Sequence, residues 1–224
     1  MENADRKKKL VSLLARNRDQ ADTHVHTCFT DGADSVEAMC EAARRNGLSY
    51  LVLAEHVSRQ PTFDYEVFAG QVRQASGKGL FAVEGCEAKM LGENGDLDLP
   101  PEAADQSRLV IASCHRTRPT KAFFLSAVHA ALDNPLADVW GHPFSTGLEI
   151  LPGEWRELCR HARANAVAID VNEKYPMPSW AFDILKKCGC LYLFGSDAHA
   201  AKAVRKAGAT PALIKTRRGR FIFW

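Results

Sequence analysis

The chain has no long hydrophobic run. Its apolar stretches stop after about eight residues, well short of the roughly twenty that a membrane-spanning helix needs, and the charged N-terminal segment does not read as a secretory leader. Net charge is nearly absent: 29 Lys and Arg stand against 27 Asp and Glu, a formal +2. No global field therefore marks it as a nucleic-acid scaffold. There is no CxxC and no even cysteine framework. Seven cysteines, with Cys188 and Cys190 separated only by Gly189, read as reduced, mostly buried thiols of a cytoplasmic protein. Linkers, low-complexity tracts and internal repeats are also lacking. The 224 residues are expected to form one domain over 1–224, large enough to bury a full core. No pattern sets an oligomeric state.

What is present is an alternation of short Val/Ile/Leu/Tyr-rich runs with segments of helical period. The runs begin near Asp22, Tyr50, Phe81, Leu109, Asp138, Val167 and Leu191. Their spacing of roughly 24 to 31 residues matches the strand-plus-helix unit of a β/α barrel, with room for seven units. The expected fold class is α/β, a distorted (β/α)7 TIM-like barrel. Asp34 and Glu37 resemble a capping box opening a helix whose inner face is Val36, Met39, Cys40 and Ala43. Trp155, Leu158, Cys159 and Ala162 repeat that face, a third helix follows Pro178-Ser179 and stops at Gly189, and a fourth occupies Pro119 to Asn134. Asn94-Gly95 predicts a type I′ hairpin inside the third unit. The basic run Arg6-Lys7-Lys8-Lys9, followed by Leu10, Val11, Leu13 and Leu14, predicts an N-terminal helix over 1–20 that covers the barrel bottom. The barrel proper is expected over 22–199 and a closing helix or tail over 200–224. Its last eight residues, Arg217 to Trp224, are basic and apolar together, suited to an edge segment or a partner contact.

Placed on this map, six of the eight histidines stand at strand C-terminal ends: His24, His26, His56, His115, His142 and His199. Asp31, Glu84, Glu87 and Asp197 accompany them. Barrel enzymes build their active sites on that face. Imidazole mixed with carboxylate suits zinc, manganese or iron, and a carboxylate can bridge two ions. So many candidates exceed what one ion can use, which implies two to three divalent metal ions. His129 and His161 fall inside helices and are read as structural. Cys28, Cys86 and Cys114 adjoin ligand candidates, but the commonest role of such a residue is a small buried hydrophobe.

The stretches Asp22-Thr23-His24-Val25-His26-Thr27, Thr30-Asp31-Gly32, Ala54-Glu55-His56, Gly85-Cys86-Glu87, Ser113-Cys114-His115, Gly141-His142-Pro143 and Gly195-Ser196-Asp197-Ala198-His199 resemble, in order, the motifs of the PHP (polymerase and histidinol phosphatase) family. The resemblance implies a distorted (β/α)7 barrel with a trinuclear metal centre. It implies a first metal on His24, His26, Glu87 and Asp197, a second on Glu87, His115 and His142, and a third on Asp31, His56 and His199. Glu87, Asp197 and His199 are then the catalytic ligands. Glu55 stands where many relatives have Asp. Asp22 is expected to orient a ligand histidine from behind, and Glu84 to act as a supporting carboxylate.

Clustered cations make hydroxide available near neutral pH, so the expected activity is metal-dependent phosphoester hydrolysis. Arg116, Arg118 and Lys174 are the candidate phosphate contacts. The expected substrate is a small phosphorylated metabolite, histidinol-phosphate-like or a nucleotide. A nuclease or phosphodiesterase is the alternative within the class, with nucleic acid disfavoured by the missing basic strip. A non-catalytic metal-binding module is the alternative outside it.

Overall fold

A computed structural model of the chain describes residues 2–205, 214–215 and 221–222. Seven parallel strands form one sheet in sequential order: β1 Ala21–Val25, β2 Tyr50–Val57, β3 Phe81–Lys89, β4 Leu109–Ser113, β5 Val139–Trp140, β6 Ala168–Asn172 and β7 Tyr192–Gly195. Each begins within one residue of its expected start. Helices α1 Glu2–Arg16, α2 Val36–Arg45, α3 Tyr65–Ala75, α4 Pro101–Gln106, α5 Lys121–Leu132, α6 Pro152–Ala164 and α7 Ser179–Cys188 alternate with them. The sheet curls until its ends meet. Val25 bridges Ala198 in parallel, and the Thr23 hydroxyl donates to the Phe194 carbonyl at 2.8 Å. The result is the seven-unit barrel. The expected closing segment over 200–224, with the Arg217–Trp224 stretch, falls mostly outside the described residues; within them it contributes a single 3-10 turn, Ala201–Ala203, and a short antiparallel pair, Ile214–Lys215 with Phe221–Ile222.

Two apolar layers follow from the period-two alternation of strands. Outward-facing residues pack beneath the helices, where Met39, Phe68, Phe124 and Trp155 are fully buried. Inward-facing residues near the strand starts (Val52, Val83, Leu109, Ile111, Val139, Ala168, Leu193) form a separate cluster with Leu10, Val11, Leu14 and Ala15 of α1. Helix α1 thus stoppers the barrel bottom, as its apolar stripe predicts.

Local differences have simple causes. Helix α2 is capped by Ser35, whose hydroxyl accepts from the Ala38 N–H, not by Asp34. The Asp34 carboxylate instead accepts from the Ala201 N–H at 2.8 Å. The hairpin after β3 exists as a Met90–Leu97 antiparallel bridge, but its turn is not type I′. The Leu91 N–H reaches the Asp96 carbonyl around a longer loop, and only Gly95 has positive φ, at 81°. Glycine is required there because a Cβ would fall 2.4 Å from the Ala130 carbonyl oxygen.

Leu14 is fully buried in the stopper, so Leu14→Ala removes packing from the whole lower cluster. It is expected to cost about 2–5 kcal/mol, read as a lower urea midpoint at unchanged slope in equilibrium unfolding.

Candidate metal centre

The inward-facing residues of each strand change character along its length. Val52 and Ala54 lead to His56, Val83 and Gly85 to Glu87, Leu193 and Gly195 to Asp197, and β6 runs Ala168, Asp170, Asn172. Apolar packing fills the bottom, small residues leave room in the middle, and ligand-type side chains arrive together at the top.

Glu87 lies at the centre of them, with side-chain exposure of 1%. Its Oε1 is 2.7 Å from His142 Nε2 and 3.0 Å from His115 Nε2. Its Oε2 is 3.0 Å from His56 Nδ1, 3.4 Å from His24 Nε2 and 3.6 Å from His26 Nε2. One carboxylate therefore faces two sets of imidazoles, one with each oxygen. Asp197 Oδ1 approaches His26 Nε2 at 3.6 Å and His199 Nδ1 at 3.4 Å. On the open rim, Asp31 Oδ2 is 3.2 Å from His199 Nε2 and 3.5 Å from His56 Nε2. All nine expected ligands are thus in one cluster. Within it, His24, His26 and Asp197 have ligand atoms mutually in range of one ion, as do His26, Asp31, His56 and His199. His26 belongs to both groups, a sharing that the sequence-level partition does not contain.

The donor chemistry fits cations. His24 Nε2 and both ring nitrogens of His26 are buried without a hydrogen-bond partner, a costly state for polar atoms that coordination removes. Two of the other rings are oriented through Nδ1, leaving Nε2 to face inward: His199 Nδ1 donates to the Asp197 carbonyl at 2.8 Å, and His142 Nδ1 lies 3.0 Å from Ser145 Oγ. Burial works to raise the pKa of Glu87, yet His24, His115 and His142 outweigh it and hold it well below the carboxylate range. Burial, then the neighbouring His24, pushes His26 well down, which favours the neutral, metal-ligating form. For His24 burial acts in the same direction, but Glu87 and Asp170 reverse it and hold the ring well above the ordinary histidine value. Backbone strain contributes as well: His142 and Asp197 are non-glycine residues at positive φ, 27° and 54°. Such conformations cost about 1–3 kcal/mol each and concentrate at functional sites.

Three supporting residues differ from expectation or were missed. The carboxylate behind His24 is Asp170, not Asp22. Asp170 Oδ2 is 3.0 Å from His24 Nδ1 and also accepts from the His142 N–H and the Asn172 amide. Its signal was a lone acid inside the apolar run Ala166 to Val171. Gly195 is forced by this packing, since a Cβ would lie 2.5 Å from His24 Cβ and 2.8 Å from Asp170 Oδ1. Asp22 reaches His24 only through its backbone N–H, at 3.5 Å, and accepts more closely from the N–H and hydroxyl of Ser196 at 2.9 and 2.5 Å, which fastens the loop carrying Asp197; burial lifts its pKa to about 7 against those bonds. Glu55 accepts from the Thr27 N–H and the Thr30 hydroxyl and so shapes the loop that presents Asp31.

Other expectations are corrected. Glu84 is three residues from Glu87 and so points to the opposite face of β3, where it meets Arg73 of α3 at 3.7 Å. Arg116 stacks on Phe123, 4.3 Å from the ring centroid, and neither it nor the exposed Arg118 lines the cavity over the cluster. That cavity, about 220 Å³, is bounded by Asp31, His56, Glu87, His115, His142, Asp197 and His199, with Lys174 and Tyr175. Lys174 Nζ is 3.4 Å from Asp197 Oδ1. A larger cleft of about 450 Å³ lies outside the barrel between α2 and α3 and holds none of these groups. His129 and His161 pair with each other on the outer surface, ring centroids 5.0 Å apart.

Two outcomes follow for metal uptake. Asp170→Ala leaves His24 without its orienting acceptor and is expected to weaken binding roughly 10–100-fold in competition with a chromophoric chelator, with Asp170→Asn milder. Because His24 is held above its ordinary pKa, a cation must displace its proton. Uptake at neutral pH should release protons into a weakly buffered solution, and apparent affinity should rise with pH; affinity independent of pH contradicts this.

Known proteins resemble this chain in sequence and in fold. A probable phosphatase of Thermoanaerobacter sp. (strain X514) is 28% identical over 224 residues, spanning 86% of this chain and 88% of its own. A Listeria monocytogenes protein assigned as a histidinol phosphatase superposes with a TM-score of 0.65 at 15% identity, over 84% of this chain and 98% of that one. The histidinol phosphate phosphatase of Lactococcus lactis, solved with zinc, L-histidinol and phosphate, superposes at 0.62 with 19% identity, over 82% and 87%. At such identities the structural likeness is one of fold. The PHP domain family model matches residues 22–172, from the strand that bears His24 and His26 through the one that bears Asp170, and on that match the chain belongs to the PHP domain family.

Proposed function

We propose that this protein is a metal-dependent phosphoesterase, and more narrowly a phosphomonoesterase that hydrolyses a small phosphorylated metabolite. The observation that carries this reading is Glu87, a buried carboxylate whose two oxygens each face a different set of imidazoles. That is the arrangement a bridging ligand needs. In this reading His24, His26, Glu87 and Asp197 hold one cation, Glu87, His115 and His142 a second, and Asp31, His56 and His199 a third. Zinc, manganese or iron in such a cluster supplies hydroxide near neutral pH and neutralises charge on a phosphoryl group.

The protein's own part is positioning. The apolar lower barrel and α1 exclude water from below, the Asp170 and Ser196 contacts fix the ligand rings and loop, and the rim of Asp31, His56 and His199 stays open to an entering ester. Lys174, at the cavity wall beside Asp197, is the cation placed to meet a phosphoryl oxygen. Tyr175, whose ring lies 5.3 Å from His142, offers an apolar face to the organic part. The cavity takes a phosphate and a small substituent. Relatives named as phosphatases and a fold neighbour solved with L-histidinol and phosphate support the class. A long polyanion is disfavoured because Arg116 stacks on Phe123, neither it nor Arg118 lines the cavity, and among the described residues Lys174 is the one lysine or arginine that does, short of a basic strip. Among the described residues no helix is long and apolar enough to cross a membrane; the reduced cysteines support a cytoplasmic setting.

The test is a panel of phosphomonoesters, histidinol phosphate and nucleoside monophosphates included, assayed beside single-stranded oligonucleotides with added Mn²⁺ or Zn²⁺. Phosphate release from a monoester is expected. Turnover of oligonucleotides alone would place the protein among nucleases, and no turnover with fewer than two ions per chain would make it a non-catalytic module. Glu87→Ala should abolish activity and lose two ions together by elemental analysis; retained activity sinks the bridging role.

A further inference from the structure

Three of the seven cysteines converge at a point remote from the metal cluster. Cys159 is fully buried on the inner face of α6, Cys188 ends α7 half-buried, and Cys190 is buried in the turn that enters β7. Cys190 Sγ lies 2.9 Å from the Cys159 carbonyl oxygen, and the Cys159 thiol contacts the thiols of both Cys190 and Cys188. Arg163, one turn along α6, donates to the Cys188 carbonyl at 2.9 Å and rests over Gly189, which puts its guanidinium beside Cys190. A fixed cation beside one of two adjacent thiols favours its thiolate, the second thiol is poised to resolve an oxidised sulfur, and the access that oxidation also requires is offered on the side of half-buried Cys188.

From this geometry we infer that Cys159 and Cys190 are a modification site, a thiol pair that a hydroperoxide converts to a reversible disulfide. Cys190 is the attacking sulfur. The Cys159 thiol, and then Arg163, favour its thiolate against burial, while the same contact holds Cys159 protonated. The Cys190 thiolate attacks one peroxide oxygen, the O–O bond breaks, and the departing oxygen takes up a proton. Cys190 becomes a sulfenic acid. The Cys159 sulfur then attacks Cys190, the S–O bond breaks, and water leaves with the Cys159 proton. The two sulfurs lose two electrons in total and the peroxide gains them. Only a small oxidant suits so enclosed a pair, and half-buried Cys188 marks its way in. The crosslink would tie α6 to the entrance of β7, the strand that leads to Asp197 and His199.

The test is thiol mapping of the full chain in a buffer containing zinc, which has no redox chemistry of its own. After hydrogen peroxide, alkylation and digestion, a peptide joining Cys159 to Cys190, lighter by two hydrogens and split by dithiothreitol, is expected. It should persist in Cys188→Ser and vanish in Cys159→Ser, where Cys190 should instead be trapped as a sulfenic acid by a dimedone-type probe present while the peroxide-treated protein is unfolded. Arg163→Gln should slow its formation severalfold. A disulfide confined to Cys188, or reduced Cys159 and Cys190 in peroxide-treated wild-type protein, overturns the assignment.

Discussion

Burying a carboxylate under five imidazoles is the constraint around which the rest of this barrel is arranged. An unpaired charge in that position would cost several kcal/mol, and Glu87 escapes the cost only because rings from β1 and the ends of β2, β4 and β5 reach it simultaneously. Satisfying one side chain therefore requires four different strand ends to meet. The converse holds for His24, His56, His115 and His142, whose inward nitrogens face Glu87, while His26 Nε2 is shared between Glu87 and Asp197, 3.6 Å from each. The carboxylate and the rings are mutually obligatory, so the upper barrel closes as a unit.

Holding that unit in place falls to residues that never face the cavity. Asp170 links β6 to His24 of β1 and to the backbone of His142 after β5. Asp22 links β1 to Ser196 after β7. Both contacts run between the first strand and later ones, which is where a seven-stranded sheet must be drawn shut. Barrel closure and ligand orientation share the same hydrogen bonds. The strained backbones of His142 and Asp197 are tolerated because these bonds over-determine them.

Much of this was legible in the order of residues. A strand is an apolar run of bounded length, so the seven starts could be placed to within a residue, and the nine ligand-type side chains stand where those runs end. The PHP motifs carry the same information in concentrated form. What escaped depended on contacts between segments far apart in the chain. Asp170 is one acid in an apolar strand until the fold sets it against His24. Asp34 reads as the cap of α2 until the approach of Ala201 takes its carboxylate and Ser35 caps the helix in its place. Arg116 looked suited to phosphate because it follows His115, but Phe123 offers its guanidinium a nearer face. Glu84 could have been excluded by parity alone, since an odd offset from Glu87 turns it outward.

The stopper formed by α1 has a consequence of its own. With Leu10, Val11, Leu14 and Ala15 plugging the lower end, the barrel is a cup rather than a tube. Among the described residues, whatever reaches the cluster and whatever leaves it has the mouth bordered by Asp31, His115, Lys174 and His199 as its route. Entry and exit then compete, and a spent anion lingering at the rim is itself an obstacle to the next arrival. Arrival and departure at such a site share one route.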